Sequence, residues 1–261
     1  MRFGCCVAPE QIDIVARAGF DFCELPAAAV LPYEEDAAAL PALRALERAP
    51  IRPEAFNVLV PPQLRMVGPE ADMGRLRAYL RRAFGRMAAL GAAVVVLGSG
   101  GARRLPDDMP RERALDQLTG SLALATEEAG RAGLELALEH LNRTECNVFT
   151  TVAECHAFIR ERGLEGLRLL ADLHHLELER EPAANVVAAA PLLAHAHVAD
   201  GGRRHPGTGG YDYAGFMRAL RQAGYDARIS AECIWESLEE QAAPALEYMR
   251  RQWEASAGVE R

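Results

Sequence analysis

Four ionisable residues stand at the ends of four hydrophobic runs in the second half of this chain. LELALEHLNRTE, Leu134 to Glu145, carries Glu139 at the end of its apolar part, then Asn142 and a second carboxylate, Glu145, in a polar loop. LRLLADLHH carries Asp172 and His175, LAHAHVAD carries His195, His197 and Asp200, and RISAECIW carries Glu232. Glu139, Asp172, His197 and Glu232 succeed one another at intervals of 33, 25 and 35 residues. Each interval is about one strand plus a crossover helix, given the ~30 or more residues of a βαβ unit.

Three carboxylates and an imidazole gathered at one place repel one another unless a cation neutralises them. A divalent metal held by Glu139, Asp172, His197 and Glu232 is therefore the simplest chemistry for the set. Oxygen-rich ligands with one nitrogen suit Mn²⁺, Mg²⁺ or Co²⁺ better than a thiolate-selected zinc. Singly, a strand-end acid is more often a helix cap or half of a surface pair, and a lone strand histidine is more often satisfied in the core. Four at one-unit intervals favour the ligand reading. Alternation leaves His195 and His197 both open, because residues two apart face the same side of a strand; His197 is nearer the C-terminal end.

The elements that must position these residues can be read along the whole chain. Strands are expected at Arg2–Val7, in GFDFCELP ending at Glu24, in IRPEAFNVLVP ending near Asn57, and in AAVVVLGSGG, whose continuous β-branched run suits a parallel strand buried on both faces. Four more are expected from Leu134, at Leu167–Asp172, at Leu193–Ala199 and at Arg228–Cys233. Helical periodicity falls between them: from Pro9 through Ala18 up to Gly19, Glu35–Arg48, Met73–Leu90, Pro110 (as N1) to Ala129, a segment opened by the capping-box pair Thr151 and Glu154, a weak Ala-rich stretch at Pro182–Ala190, Asp212 to Ala223, and Ser237 with Glu240 opening a last helix to about Trp253. The arginines Arg75, Arg77, Arg82 and Arg86 are expected on a solvated face. Eight strands alternating with helices predict an α/β fold, a (β/α)8 TIM barrel in one domain over residues 1–261, with about 254–261 as a frayed tail. In such a barrel the functional residues sit on the loops at the C-terminal ends of the strands.

Composition narrows the function. Net charge is −8, which opposes binding to a phosphate backbone, and no long uncharged apolar run suggests a membrane span. All 29 basic residues are arginine, so Schiff-base, pyridoxal-phosphate, P-loop and lysine-base enzymes are excluded for want of an amine. The N-terminal MRFGCCVAPE has one basic residue and too short an apolar run for a signal-peptide core, so the chain is expected in the cytoplasm. The 6 cysteines lack CxxC spacing and are expected as reduced, buried thiols.

Taken together, GFDFCELP, GSGGARRLP, ALEHLNRTECN, ADLHH, HAHVADGGRRHPGTG and ISAEC resemble the sugar phosphate isomerase/epimerase superfamily of xylose-isomerase-like barrels, and most closely its ketose 3-epimerase and hydroxypyruvate isomerase branch. The resemblance covers nearly the whole chain. It implies one divalent metal, often Mn²⁺, on Glu139, Asp172, His197 and Glu232, with Glu145, His175 and Arg203 contacting substrate. It implies also a cis-enediolate reaction in which Glu139 and Glu232 act as acid and base on a small sugar, keto sugar, or sugar acid or phosphate, and a homodimer or homotetramer. Leu170 departs from the polar residue that the epimerases often carry two before the metal aspartate, which suggests a substrate other than a free ketohexose.

The expected activity is thus a metal-dependent epimerase or aldose–ketose isomerase. The alternatives are a dehydratase on the same barrel, a relative of the barrel endonucleases, which use more histidines and a multinuclear cluster, and a non-catalytic sugar binder. The Gly98–Gly101 turn with Arg103 and Arg104 is balanced between an anion site and a plain strand-to-helix turn. His205 with Pro206 to Gly209 is expected as a loop over the substrate.

Overall fold

In a computed structural model describing residues 1–258, eight strands close into a barrel in which every neighbouring pair is parallel. They are β1 (Arg2–Cys6), β2 (Phe22–Pro26), β3 (Pro53–Asn57), β4 (Val94–Leu97), β5 (Glu135–Glu139), β6 (Leu167–Asp172), β7 (Leu193–Val198) and β8 (Arg228–Ala231), in spatial order β1 to β8. The α-helices in chain order are α1 (Ile12–Ala18), α2 (Asp36–Glu47), α3 (Met73–Ala89), α4 (Gly100–Arg103), α5 (Arg111–Arg131), α6 (Val152–Glu161), α7 (Leu173–Leu178), α8 (Ala184–Ala188), α9 (Tyr213–Gln222) and α10 (Leu238–Ala255). The tail expected to fray begins inside α10, continues as a 3₁₀ turn at Ser256–Gly258, and at 259–261 lies outside the described residues. No described helix is long and apolar enough to cross a membrane.

Local chemistry accounts for most boundaries. Gly19 closes α1 at φ 92°, a left-handed position that glycine takes without a Cβ clash. Asp72, Thr151 and Asp212 accept backbone N–H groups at the starts of α3, α6 and α9. The cap expected at Ser237 does not form; Gln241 Oε1 instead accepts from the N–H groups of Glu236 and Ser237. Glu154 bonds the N–H of Thr150 and not that of Thr151, so the capping box there is incomplete. Pro110 is the N-cap of α5 and not its first residue. Helix α7 was not expected: it begins directly after β6 because Asp172 accepts from the N–H of His174 at 2.7 Å.

The core has two layers. Between barrel and helices lies one large cluster to which β4 contributes Val95 and Leu97 and β5 contributes Leu136 and Leu138. Inside the barrel lies a small one of Phe22, Ala55, Val94, Val96, Ala137, Leu170 and Ala194. A Cβ at Gly4 would overlap the Phe22 ring, so that glycine makes room for the largest side chain of the lumen. Leu170 belongs to this interior layer and has no exposed surface. It pairs with Glu139 and lies two residues before Asp172, at the apolar floor of the barrel mouth.

A bulge in the pairing of β6 with β7 sets the direction of two histidines. Leu169 pairs with Leu193, but the next residue, Leu170, pairs with His195. Leu193 faces the helices, so strict alternation would turn His195 and His197 outward as well. The extra residue reverses their parity and brings both into the barrel.

Candidate active site

The C-terminal mouth of the barrel is a polar ring standing on an apolar floor. Glu139 and Asp172 are the last residues of β5 and β6, and His197 is the penultimate residue of β7. Glu232 follows β8 by one residue, its N–H still bonded to the Val198 carbonyl at 3.0 Å. One ligand atom from each of Glu139, Asp172, His197 and Glu232 lies within 4.8 Å of the others. His197 Nδ1 is 3.2 Å from Glu139 Oε1 and 3.5 Å from Glu232 Oε2.

The other three expected residues close the ring. Arg203 Nη2 is 3.5 Å from Glu232 Oε2, 3.9 Å from Glu145 Oε1 and 3.0 Å from His175 Nε2. His175 Nε2 is 3.6 Å from Asp172 Oδ2, and its Nδ1 accepts from the N–H of Asn142 at 3.2 Å. Asn142 Nδ2 holds Glu145 Oε1 at 2.8 Å. All seven residues expected from the sequence thus converge on one mouth. Among the described residues six non-glycine positions have positive φ, and five of them, Leu31, Val58, Ser99, Phe149 and Arg203, lie in segments that follow strands at this face. Strain concentrated there fits a functional surface.

Charge in the ring is distributed unequally. Burial pushes the Glu139 carboxyl up, and the neighbouring Glu232 charge adds to the rise. Burial opposes ionisation of Glu232 too, but His197 and Arg203 outweigh it and hold that carboxyl below its usual range. For Asp172, burial is outweighed by His175, His197 and Arg203, and its carboxyl is held down to about 2. Two carboxyl groups driven apart in this way suit one acid and one base.

The donor set passes a test of fit for a divalent cation. Three carboxylates and one imidazole nitrogen form a hard, oxygen-rich group. Close approach is built into the backbone, since a Cβ at Gly98 would overlap Glu139 Oε2. Gly98→Ala is accordingly expected to displace Glu139 and weaken Mn²⁺ binding about 10–100-fold, the range for lesions just outside a metal's ligands. Calorimetric titration with Mn²⁺ checks this, and undiminished affinity would remove Glu139 from the cation site.

Several contributors were not recognised in the sequence. Glu24, at the inner face of β2, accepts from His195 Nε2 at 2.8 Å and His197 Nε2 at 3.0 Å, with no exposed surface. Its signal was available, because GFDFCELP also ends a strand on an acid. Asn57 Nδ2 is 3.4 Å from Glu232 Oε1. His140 Nε2 accepts from the N–H of Asp172 at 3.1 Å, and burial holds that imidazole neutral, pushed down to about 3.

Other expectations are corrected. The strand-to-helix turn after β4 leads directly into the short helix Gly100–Arg103, but Arg103 is fully buried and not solvated, bonding the Leu97 carbonyl at 2.9 Å and lying over the Phe149 ring. Arg104 bonds the Glu145 carbonyl at 3.0 Å, while Nε and Nη2 of the buried Arg103 have no hydrogen-bond partner among the described residues. Arg86, expected in solvent, is buried against the carbonyls of Val30, Leu31 and Glu34 and against Asp36. All 6 cysteines are free, but Cys6 and Cys233 are only partly buried. His205 stacks on Trp235 at 5.9 Å, and Asp200 gathers the N–H groups of Gly207, Gly209 and Tyr211, which ties the 205–211 loop to the end of β7.

Known proteins share this architecture. The family description "Xylose isomerase-like TIM barrel" matches residues 12–252. An L-ribulose 3-epimerase of Methylomonas sp. (strain DH-1) is 27% identical over 271 residues, covering 94% of this chain and 92% of that protein. A 3-dehydro-D-guloside 4-epimerase of Escherichia coli (strain K12) is 31% identical over 134 residues, covering 49% of this chain and 51% of that protein. Among solved structures, a D-psicose 3-epimerase crystallised in the presence of D-fructose superposes with a TM-score of 0.84 at 20% identity, over 97% of this chain and 99% of its own. That likeness speaks for the fold alone.

Proposed function

Because this chain belongs to the xylose isomerase-like TIM barrel family, we propose that it is a divalent-cation-dependent enzyme that epimerises a small keto sugar at the carbon beside its carbonyl. The observation that carries this reading is the pair Glu139 and Glu232, both within reach of His197 Nδ1 in one buried cluster. A sugar binder gains nothing from a carboxyl raised by burial beside one lowered by His197 and Arg203. The relatives named as ketose 3-epimerases supply the substrate class.

Glu139, Asp172, His197 and Glu232 would hold the cation, with Mn²⁺ our choice. Once bound, it polarises the sugar's carbonyl and stabilises negative charge building on the oxygens. Glu232, held ionised, takes the proton from the carbon beside the carbonyl. The C–H electron pair becomes a C–C double bond and the carbonyl π pair moves to oxygen, which gives a cis-enediolate. Glu139, pushed toward its protonated form, returns a proton to the opposite face of the same carbon and inverts it. Return to the neighbouring carbon would make the same chemistry an aldose–ketose isomerisation. Arg203 and His175 face the oxygens of the intermediate, and Glu145 orients substrate from the loop after β5. A cytoplasmic homodimer or homotetramer completes the reading.

The test is incubation with Mn²⁺ in D₂O with L-ribulose, D-psicose, D-fructose and a 3-keto-glucoside, followed by NMR. Deuterium entering one carbon with formation of the epimer is expected. A deoxy-ketone product would replace this reading with a dehydratase, and no exchange into any of the compounds would leave a binder.

A further inference from the structure

We propose that Glu24 is the positioning residue that holds His197 in the tautomer whose Nδ1 lone pair faces the cation cluster, with His195 as the second arm of the same clamp. This rests on reading Glu139, Asp172, His197 and Glu232 as a cation site.

The geometry is specific. β2 and β7 are separated by β1 and β8 in the barrel, so Glu24 reaches its histidines across the lumen. Each carboxylate oxygen is committed to a different imidazole, Oε2 to His195 Nε2 and Oε1 to His197 Nε2. None of the three residues has exposed surface. Interior layers of such barrels are normally filled by branched apolar side chains. An apolar residue at position 24 would avoid the desolvation cost that a buried carboxylate incurs. A carboxylate retained in the lumen therefore has work that packing alone does not explain.

Its chemistry defines that work. An ionised carboxylate only accepts hydrogen bonds, so both imidazoles must present N–H at Nε2. With a cation in place of the proton that the carboxylates otherwise draw onto Nδ1, His197 would be a neutral imidazole whose one N–H stays on Nε2; a neutral His195 likewise keeps its one N–H on Nε2 and a lone pair on Nδ1. For His197, Nδ1 is the atom that faces Glu139 and Glu232, so the lone pair would be aimed at a cation held among them. His195 Nδ1 is buried without a partner, which is milder for a lone pair than for a stranded N–H. His195 also keeps Glu24 from turning wholly toward His197, since it holds the second oxygen. A glutamine at position 24 would offer one acceptor and one donor. One histidine would then have to accept at Nε2 and carry its proton on Nδ1, and where that is His197 the proton occupies the cation's place.

The experiment compares wild type and Glu24→Gln by Mn²⁺ titration, by turnover at varied Mn²⁺, and by long-range ¹H–¹⁵N NMR of the histidines in the Mg²⁺-loaded protein. Glu24→Gln is expected to raise the Kd for Mn²⁺ about 10–100-fold, with kcat recovered at saturating Mn²⁺. The wild-type spectrum is expected to show His197 protonated on Nε2. Wild-type Mn²⁺ affinity in Glu24→Gln would overturn the positioning role and leave the proposed function standing. A wild-type protein that binds no Mn²⁺ would overturn the cation site and the clamp with it. If Glu24→Gln does not fold, the wild-type spectrum still decides: a proton on His197 Nδ1 overturns the proposal.

Discussion

Glu232→Gln is expected to lower turnover by about 10²–10⁴-fold, the contribution of a positioned acid or base, with the circular dichroism spectrum unchanged. The substitution keeps the shape of the side chain and leaves the backbone N–H of residue 232 bonded to the Val198 carbonyl, so the fold has little reason to respond. What it removes is the carboxylate of the Glu139–Glu232 pair that His197 and Arg203 hold in the ionised, proton-accepting form. An amide cannot take that proton. Deuterium exchange into product should fall in parallel with kcat, because the lesion lies at proton abstraction and not at substrate binding. Full activity in Glu232→Gln would eliminate the two-carboxylate mechanism, and loss of exchange confined to a raised KM would move Glu232 to a binding role.

Cation binding should also be visible in stability. Glu139, Asp172 and Glu232 meet in one cluster, and Glu139, raised by burial and then by the Glu232 charge, has the most to gain from an added cation. A cation at 100 times its Kd stabilises the folded state by about 2.7 kcal/mol, and for a chain of this size that corresponds to a rise in Tm of about 5–10 °C. Chelator should reverse the rise and abolish turnover together. Asp172→Asn is the informative control: its amide oxygen can still accept from the N–H of His174 and so preserve the start of α7. The Mn²⁺-induced shift should nevertheless shrink to near zero. A shift of full size in Asp172→Asn would mean that Mn²⁺ binds somewhere other than this cluster.

Much of the site was legible because its residues obey a rule that strands express directly. A parallel barrel presents the last inward residue of each strand at one face, so an acid or imidazole ending an apolar run is already placed by its position in sequence. Glu139 and Asp172 needed nothing more. Arg203, His175 and Glu145 came from the resemblance of the segments that follow their strands to a known family, since no periodicity specifies what such a segment carries. Arg103 and Arg104 went the other way. Adjacent arginines after a glycine-rich turn read as solvated or anion-binding, yet a one-turn helix folds Arg103 under the loop onto Phe149, where its burial is set by residues nearly fifty positions away.

The sequence by itself determined the barrel, the order in which its ligands arrive and the hard-cation chemistry they suit, because alternation, helix periodicity and side-chain donor type are local properties. Only the tertiary structure decided which way the β7 histidines point and what stands behind them. His195 and His197 face inward through a bulge against β6, a property of pairing between two strands that neither strand encodes alone. Glu24 meets them because closing the barrel lets β2 reach β7 across the lumen, past β1 and β8 on the wall.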